Sequence, residues 1–308
     1  MTTTKFNVHE AITARIVEAI EKGAGDFVMP WHGPMLRRPV NASTKRAYSG
    51  VNILSLWISA SQRNYDSGQW ATFKQWQDMG ACVRKGEKGT PIVFYKLLEV
   101  AGDGSRGSNS GGTGEGDETR NIPFARASWV FNASQVDGYI SQDQGAVVPT
   151  VFDRLEAVEQ AIKATGAVIE YGGARASYNR KTDRIAVPEP GRFIGSPTST
   201  AQETFYSTIL HELTHWTGAE HRLNREKGKR FADKPYCFEE LIAELGAAFL
   251  CADLGITNEP RPDHAQYLAQ YLTILKEDAR AIFRAATAAS EAVTYVLAAG
   301  RQQQTAAA

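Results

Sequence analysis

The chain of 308 residues is long enough for two ordinary domains, and its composition, 43% hydrophobic and 22% charged, is that of a globular protein. It lacks the run of about 20 apolar residues that a membrane helix needs, and its polar N-terminus has no signal-peptide core, so we expect a cytoplasmic protein without membrane contact. Three cysteines without a CxxC spacing argue against a disulfide framework and a cysteine-based zinc site.

The charge of the chain is zero overall but unevenly distributed. The segment from Arg37 to Lys96 contains ten Lys and Arg residues against three Asp and Glu residues. A local basic surface can bind an anionic partner even when the total charge is zero. The first half is therefore where a nucleic-acid interface is expected.

Apolar periodicity in the first half predicts helices at 7–23, 51–63 and 70–79. Strand-like segments rich in β-branched and aromatic residues follow at 92–100 and 127–131. Between them, residues 102–119 consist almost wholly of Gly, Ser, Asn and acids, a composition that cannot bury enough apolar surface to fold. We interpret this segment as a mobile hairpin loop within a first domain at 1–145, because the second strand needs the preceding strand as its partner.

The second half predicts an α+β domain at 150–300, in which a small sheet is followed by helices. Its first helix is expected at 152–165, and its strands at 167–171 and 176–188. The remaining predicted helices are at 201–217, 237–254, 262–275 and 277–298. Strand residues Arg184 to Val187 are expected to pair with an extended substrate. The tail at 301–308 is expected to be disordered.

The motif His211-Glu212-Leu213-Thr214-His215 lies within one of these helices. Residues four apart share a helix face, so His211 and His215 can direct their imidazoles at one metal ion. Glu212 lies beside that ion, where it can act on a water molecule as the catalytic base. The spacing predicts a gluzincin-type zinc site, although another divalent metal could take its place.

The third ligand has several candidates. Glu240 and Glu244 share one stripe of the following helix, and we favour Glu240 as the ligand and Glu244 as the partner of a ligating histidine, with the opposite assignment as the alternative. Glu239 is expected to be solvated. His221 fits the extended metzincin spacing and is a rival third ligand.

The chemistry predicted for this site is metal-assisted peptide hydrolysis. The metal would polarise the scissile carbonyl, while Glu212 transfers a proton from water to the leaving amine. Tyr236, His221 and Arg222 are candidates for stabilising the oxyanion. A metal that serves only stability is the non-enzymatic alternative.

The basic segment of the first half also contains eight aromatic residues. Single-strand binders combine cations for the phosphates with aromatic platforms for the bases, a mechanism that tolerates any sequence. The candidate stacking residues are Tyr48, Trp70 and Phe73. The candidate phosphate contacts are Lys45, Arg46, Lys74, Arg84, Lys85 and Lys88.

Several longer motifs resemble the ArdC antirestriction proteins of conjugative plasmids. In the first half these are Pro30-Trp31, Tyr48-Ser49-Gly50-Val51-Asn52, the segment from Trp70 to Trp76, the segment from Val83 to Gly89, Val130-Phe131-Asn132 and Gln135-Val136-Asp137-Gly138. In the second half they are His211 to Gly218, Arg222-Leu223-Asn224-Arg225 and Glu239 to Gly246. The resemblance covers nearly the whole chain.

This resemblance implies an N-terminal domain that binds single-stranded DNA and a C-terminal zincin-like domain with a glutamate as third ligand. It further implies that the protein shields incoming plasmid DNA from host restriction during conjugation. The alternative function is a cytosolic metallopeptidase whose first domain recruits an unknown protein substrate.

Overall fold

The computed structural model describes residues 7–23, 29–32, 37–100, 120–140, 151–196, 198–225, 234–258 and 267–306. We refer to 7–140 as the first half and to 151–306 as the second half. Each half contains helices and at least one small sheet, which confirms the predicted two-domain α+β fold class. The predicted mobile loop at 102–119 lies outside the described residues.

The described residues of the first half form three α-helices and six strands. Its helices are α1 (Val8–Gly23), α2 (Val51–Arg63) and α3 (Phe73–Asp78). Its strands are β1 (Val40–Asn41), β2 (Gln69–Ala71), β3 (Cys82–Val83), β4 (Thr90–Val100), β5 (Arg120–Asn132) and β6 (Val136–Asp137). The main sheet has the order β1-β2-β5-β4, and β3 pairs separately with β6.

Two of the three helices predicted in the first half are confirmed, and the third is shorter than expected. Trp70 belongs to β2, where it pairs with Asn132 of β5, instead of starting a helix. The helix begins only after Thr72, which forms a capping box with Gln75. The predicted partnership of the two long strands is correct, since β4 and β5 are antiparallel from Thr90↔Val130 to Val100↔Arg120.

In the second half, the residues that the structure describes form five α-helices and three strands. The helices are α4 (Val151–Ala164), α5 (Ala201–Thr217), α6 (Lys234–Leu254), α7 (Leu268–Glu277) and α8 (Ala281–Ala306). The strands are β7 (Val168–Tyr171), β8 (Ser177–Asn179) and β9 (Arg184–Val187). All of them follow the predicted order; α5 has the predicted bounds, and the boundaries of the other elements are shifted.

Two expectations for the second half are wrong. The strand β9 is the central strand of the order β7-β9-β8, so Arg184, Ile185 and Ala186 already have partners on both sides and are not free to pair with a substrate. The tail expected to be disordered instead continues α8 as far as Ala306. Its Gln and Ala residues have high intrinsic helix propensity, which explains the continuation.

The two halves share one hydrophobic core. Its largest cluster joins residues of α1 and α2 to residues of α5, α6 and α8. The Trp57 ring of α2 packs against Phe249 of α6 with 5.7 Å between centroids. In α1, Thr13 Oγ1 donates a 2.6 Å hydrogen bond to the carbonyl oxygen of Ala279. Each half therefore depends on the other for part of its buried surface.

In the part of the chain that the structure describes, no helix is sufficiently long and apolar to cross a bilayer.

Candidate functional site

The helix α5 carries the predicted metal motif on a buried segment. It begins with a capping box, in which the Thr200 side chain accepts from the Glu203 amide while the Glu203 carboxylate accepts from the Thr200 amide. A second carboxylate oxygen of Glu203 accepts from Thr257, so this end of α5 is tied to the segment after α6. His211, Glu212 and His215 are all buried.

Two imidazoles and one carboxylate meet between α5 and α6. His211 Nε2 lies 3.5 Å from Glu240 Oε2, and His215 Nε2 lies 3.5 Å from Glu240 Oε1. One ligand atom from each of the three residues lies within 4.8 Å of the others. Two imidazole nitrogens and a carboxylate oxygen form one of the three-ligand sets of catalytic zinc sites, so these residues fit a divalent metal ion. We call them the metal cluster.

The second nitrogen of His215 is held by Glu239, the residue expected to be solvated. Its Oε1 lies 3.3 Å from His215 Nδ1, and Arg225 donates to both of its carboxylate oxygens, at 2.9 and 3.1 Å. The expectation was wrong because α6 is buried on nearly all sides, so an acid on any of its faces needs a buried partner. The apolar composition on every side of α6 could have indicated that Glu239 is buried.

The second nitrogen of His211 faces Glu244, whose Oε1 lies 3.7 Å from His211 Nδ1. The other oxygen of Glu244 lies 3.5 Å from Nε2 of His32 in the first half. His32 Nδ1 accepts the Met29 amide at 3.1 Å, so the neutral ring carries its proton on Nε2, toward Glu244. Sequence reasoning missed His32, because nothing in the local spacing connects residues 212 positions apart.

The electrostatics of the metal cluster favour positive charge. Burial lowers the pKa of His215, but the carboxylates of Glu240 and Glu239 outweigh it and raise the pKa to about 9. Burial acts to raise the pKa of Glu240, yet the two imidazoles hold it well below its usual range. A field that stabilises an imidazolium also attracts a cation placed between the same groups.

Of the three predicted oxyanion candidates, two are placed where they cannot serve the metal cluster. His221 is exposed and lies 3.5 Å from Asp183, outside the metal cluster. Arg222 stacks over the Trp216 ring at 3.8 Å and binds Asp183, which occupies its guanidinium. Tyr236 is the remaining candidate for stabilising the oxyanion. Burial and hydrogen bonds with Tyr267 and Glu240 raise the pKa of its phenol. It keeps its proton at neutral pH and can donate a hydrogen bond.

The predicted stacking residues of the first half divide into buried and exposed ones. Trp70 is only 1% exposed and packs with Leu56, Ile92 and Val130, so it cannot offer its ring to a base. Tyr48 is also buried, and its hydroxyl accepts from Asn41. Phe73 is 46% exposed and remains available at the start of α3.

The sequence prediction missed the exposed ring of Trp129. Trp129 is 48% exposed, whereas its neighbour Val130 is fully buried. Successive residues of a strand point to opposite faces, so the alternation along β5 was a usable signal. Trp129 lies above Gly89, where an added Cβ would stand 2.9 Å from the Trp129 Cβ.

The predicted phosphate contacts lie at the surface, but they are not equivalent. Arg84 bonds to the Ser134 carbonyl oxygen and to the acids Glu87 and Asp137, which neutralise much of its charge. Lys74 makes a 3.4 Å ion pair with Asp78 along α3, an exposed contact of little energy. The remaining predicted phosphate contacts are also exposed: Lys45, Arg46, Lys85 and Lys88.

Comparisons with known proteins match both halves of the chain to known families. The family described as the N-terminal domain of anti-restriction factor ArdC matches residues 6–131, and a zincin-like metallopeptidase family matches residues 156–288. The crystal structure of the antirestriction protein ArdC from the R388 plasmid, in its metal-free form, is 34% identical, with a TM-score of 0.76 over 96% of this chain and 99% of that one. The chain belongs to the ArdC antirestriction family.

Other relatives extend this family assignment. The Mn(II)-bound structure of ArdC from R388 has a TM-score of 0.74 at 33% identity, over 96% of this chain and 98% of that one. The protein y4eC of Sinorhizobium fredii is 40% identical over 94% of this chain and 91% of its own length. A DNA primase TraC of Escherichia coli is 33% identical over 96% of this chain, which spans only 20% of that primase.

Membership of the ArdC family confirms the sequence predictions of the domain types and of the antirestriction function. The second half is a zincin-like domain, which implies a divalent metal, and the antirestriction function is favoured over a stand-alone metallopeptidase.

Replacement of Gly246 by alanine tests the packing that aligns the metal cluster. A Cβ at this position would lie 2.5 Å from Cγ2 of Thr214, the residue just before His215. We expect Gly246→Ala to lower the free energy of unfolding by about 1–3 kcal/mol, as overpacking does, and to weaken metal binding. Chemical denaturation and calorimetric metal titration measure the two effects.

The control for Gly246→Ala is Gly191→Ala, where an added Cβ meets nothing within 4 Å. The double variant Gly246→Ala, Thr214→Ala removes the crowding methyl and hydroxyl groups and should regain part of both losses. Equal stability of Gly246→Ala and the native ArdC-family protein would contradict the close packing of α5 on α6.

Replacement of His32 by leucine tests whether the first half supports the metal cluster. We expect Mn(II) or Zn(II) affinity to fall by up to about tenfold, because loss of an outer partner loosens Glu244 and with it His211. His221→Ala is the control and should leave the affinity unchanged. Unchanged affinity in His32→Leu, or a loss in His221→Ala, would contradict the arrangement.

Proposed function

We propose that this member of the ArdC family binds single-stranded DNA without sequence preference, protects incoming plasmid DNA from host restriction, and cleaves a protein through a zinc-dependent peptidase site. The observation that carries the peptidase part is the metal cluster, in which each histidine has one nitrogen toward Glu240 and the other toward a buried carboxylate. The DNA part is supported by the exposed cations and aromatic rings of the first half.

We assign His211, His215 and Glu240 as the metal ligands. Zinc is the ion we favour because two imidazoles and a carboxylate, with one open position, form a common catalytic zinc site. Glu239 and Glu244 fix the orientation of the imidazoles through Nδ1, an arrangement that strengthens ligation. When bound, the cation lowers the pKa of water and polarises a carbonyl group.

The remaining residues of the site act on protons and charge. Glu212 is buried next to His211, and its carboxylate is close enough to affect His215 electrostatically. It accepts a proton from the attacking water and returns it to the leaving amine. The Tyr236 phenol, which lies one helical turn before Glu240, donates a hydrogen bond to the developing oxyanion.

The DNA surface follows the exposed residues of the first half. Lys45, Arg46, Lys74, Lys85 and Lys88 supply positive charge for the phosphates, and Arg84 contributes less because acids already bind it. Phe73 and Trp129 offer exposed rings for the bases. Charge and stacking together bind any sequence, as coating of an incoming strand requires.

Glu212→Gln separates peptide cleavage from metal binding. We expect metal affinity to stay close to that of the native protein, because Glu212 is not a ligand, while cleavage falls about 100-fold or more without the general base. Casein digestion, with and without single-stranded DNA, measures cleavage, and calorimetry measures metal binding. Native protein that cleaves nothing, or Glu212→Gln that cleaves normally, would contradict the peptidase assignment.

The salt dependence of DNA binding tests the second part of the proposal. Each phosphate contact on a single strand contributes about 0.7 to the slope of log affinity against log salt. We therefore expect Lys45→Ala and Arg46→Ala to reduce that slope in anisotropy titrations of labelled oligo(dT) with the full-length protein. The control is Lys163→Ala, an exposed lysine of α4 paired with Glu159. Absence of binding to any oligonucleotide would refute the DNA function.

A further inference from the structure

A large cavity lies where the two halves meet. Its volume is about 880 Å³, within the range of about 300–1,000 Å³ that ligand sites occupy. The first half contributes β1, the turn after it, the start of α2 and part of β4, and the second half contributes mainly α8. The cavity is separate from the metal cluster, since His211, His215 and Glu240 do not line it.

The wall chemistry suits a neutral, flat, hydrogen-bonding ligand. The two charged side chains among the described lining residues, Arg46 and Glu291, have opposite signs, so the interior does not strongly attract an anion. Asn41 and Thr294 are among the polar uncharged groups of the wall. Nucleobases have this character, because they are uncharged, planar and carry donors and acceptors at their edges.

Two aromatic rings face the cavity from different halves. Phe94 of β4 is 47% exposed, Tyr295 of α8 is 36% exposed, and both side chains line the cavity, so their rings are accessible to a ligand. The Tyr295 ring is supported from behind by Trp216, with 6.1 Å between centroids. Supported rings of this kind are the platforms on which bases stack.

The cavity adjoins the cations assigned to the phosphates. Arg46 lies in its wall, and Lys45 precedes Arg46 in the same turn. Gln75 of α3 also lines the cavity and accepts a 3.2 Å hydrogen bond from Asn41 Nδ2, and α3 is the helix that begins with Phe73 and Lys74. A DNA backbone bound by Lys45 and Arg46 would therefore have its bases next to the cavity.

We propose that this cavity receives bases of single-stranded DNA, with Phe94 and Tyr295 as stacking residues. The inference rests on the proposed DNA-binding function and deepens it, since it makes α8 of the zincin-like half part of the DNA site. The floor of the cavity joins the halves, because the Gly50 amide donates a 2.9 Å hydrogen bond to Ser290 Oγ of α8. The DNA site is thus shared between the two halves.

The test compares Tyr295→Leu and Phe94→Leu with Tyr295→Phe in the full-length protein. Anisotropy titrations use labelled oligo(dT) and an abasic oligonucleotide of equal length, which keeps the phosphates and lacks the bases. We expect each leucine variant to weaken oligo(dT) binding about fivefold or more, the lower limit for loss of one stacked base, and to leave abasic binding unchanged. Tyr295→Phe retains its ring and should bind normally.

The matched control is Tyr171→Leu, an exposed tyrosine of β7 outside the cavity, which should bind oligo(dT) normally. Thermal melts establish that every variant is folded. If both leucine variants bind oligo(dT) normally while Lys45→Ala and Arg46→Ala reduce the salt slope, the cavity inference is overturned and the DNA function stands. An equal loss toward the abasic strand would also overturn it, and no binding by the native protein would remove both proposals.

Discussion

The close approach of α5 and α6 is the contact on which the site depends. Gly246 leaves no side chain between the helices, and Thr214 fills the space that a Cβ would occupy. This packing brings His211 and His215 up against three glutamates of the facing helix. Five ionisable groups are thereby buried together, which is favourable only because each has a partner of opposite character or a cation to bind.

The partners of these buried glutamates come from segments that are far apart in the sequence. Arg225 follows α5 and neutralises Glu239, and His32 of the first half reaches Glu244. The chain around His32 is anchored by Trp31, which is fully buried in the common core and whose carbonyl oxygen accepts from Asn258 of the second half. The zincin-like half is therefore completed, electrostatically and by packing, by the first half.

This shared core gives a physical basis for combining the proposed DNA binding and the proposed peptide cleavage in one molecule. Tyr295 lines the cavity between the halves and packs on Trp216, the residue next to His215. Arg222 covers the other part of the Trp216 ring and continues to Asp183 and Tyr178 of the small sheet. Packed side chains therefore connect the proposed DNA site to the metal cluster.

The sequence by itself determined the helices, their order, the α+β class and the chemistry of the metal motif. These features follow from local periodicity, from capping residues such as Thr200, and from the i, i+4 spacing of His211 and His215, all of which are properties of short segments. The spacing also confined the third ligand to a few residues. It favoured Glu240 and left Glu244 and His221 as alternatives, because spacing along the chain does not show which residue lies opposite the two histidines.

Tertiary structure alone decided which residues meet across long separations. It placed Glu240 between the two imidazoles, gave Glu239 and Glu244 their separate histidines, and brought His32 to the site. It also buried Trp70, exposed Trp129 and made β9 the central strand. In each case the deciding quantity is the burial or pairing that a residue acquires when distant segments pack together, and local sequence does not encode that quantity.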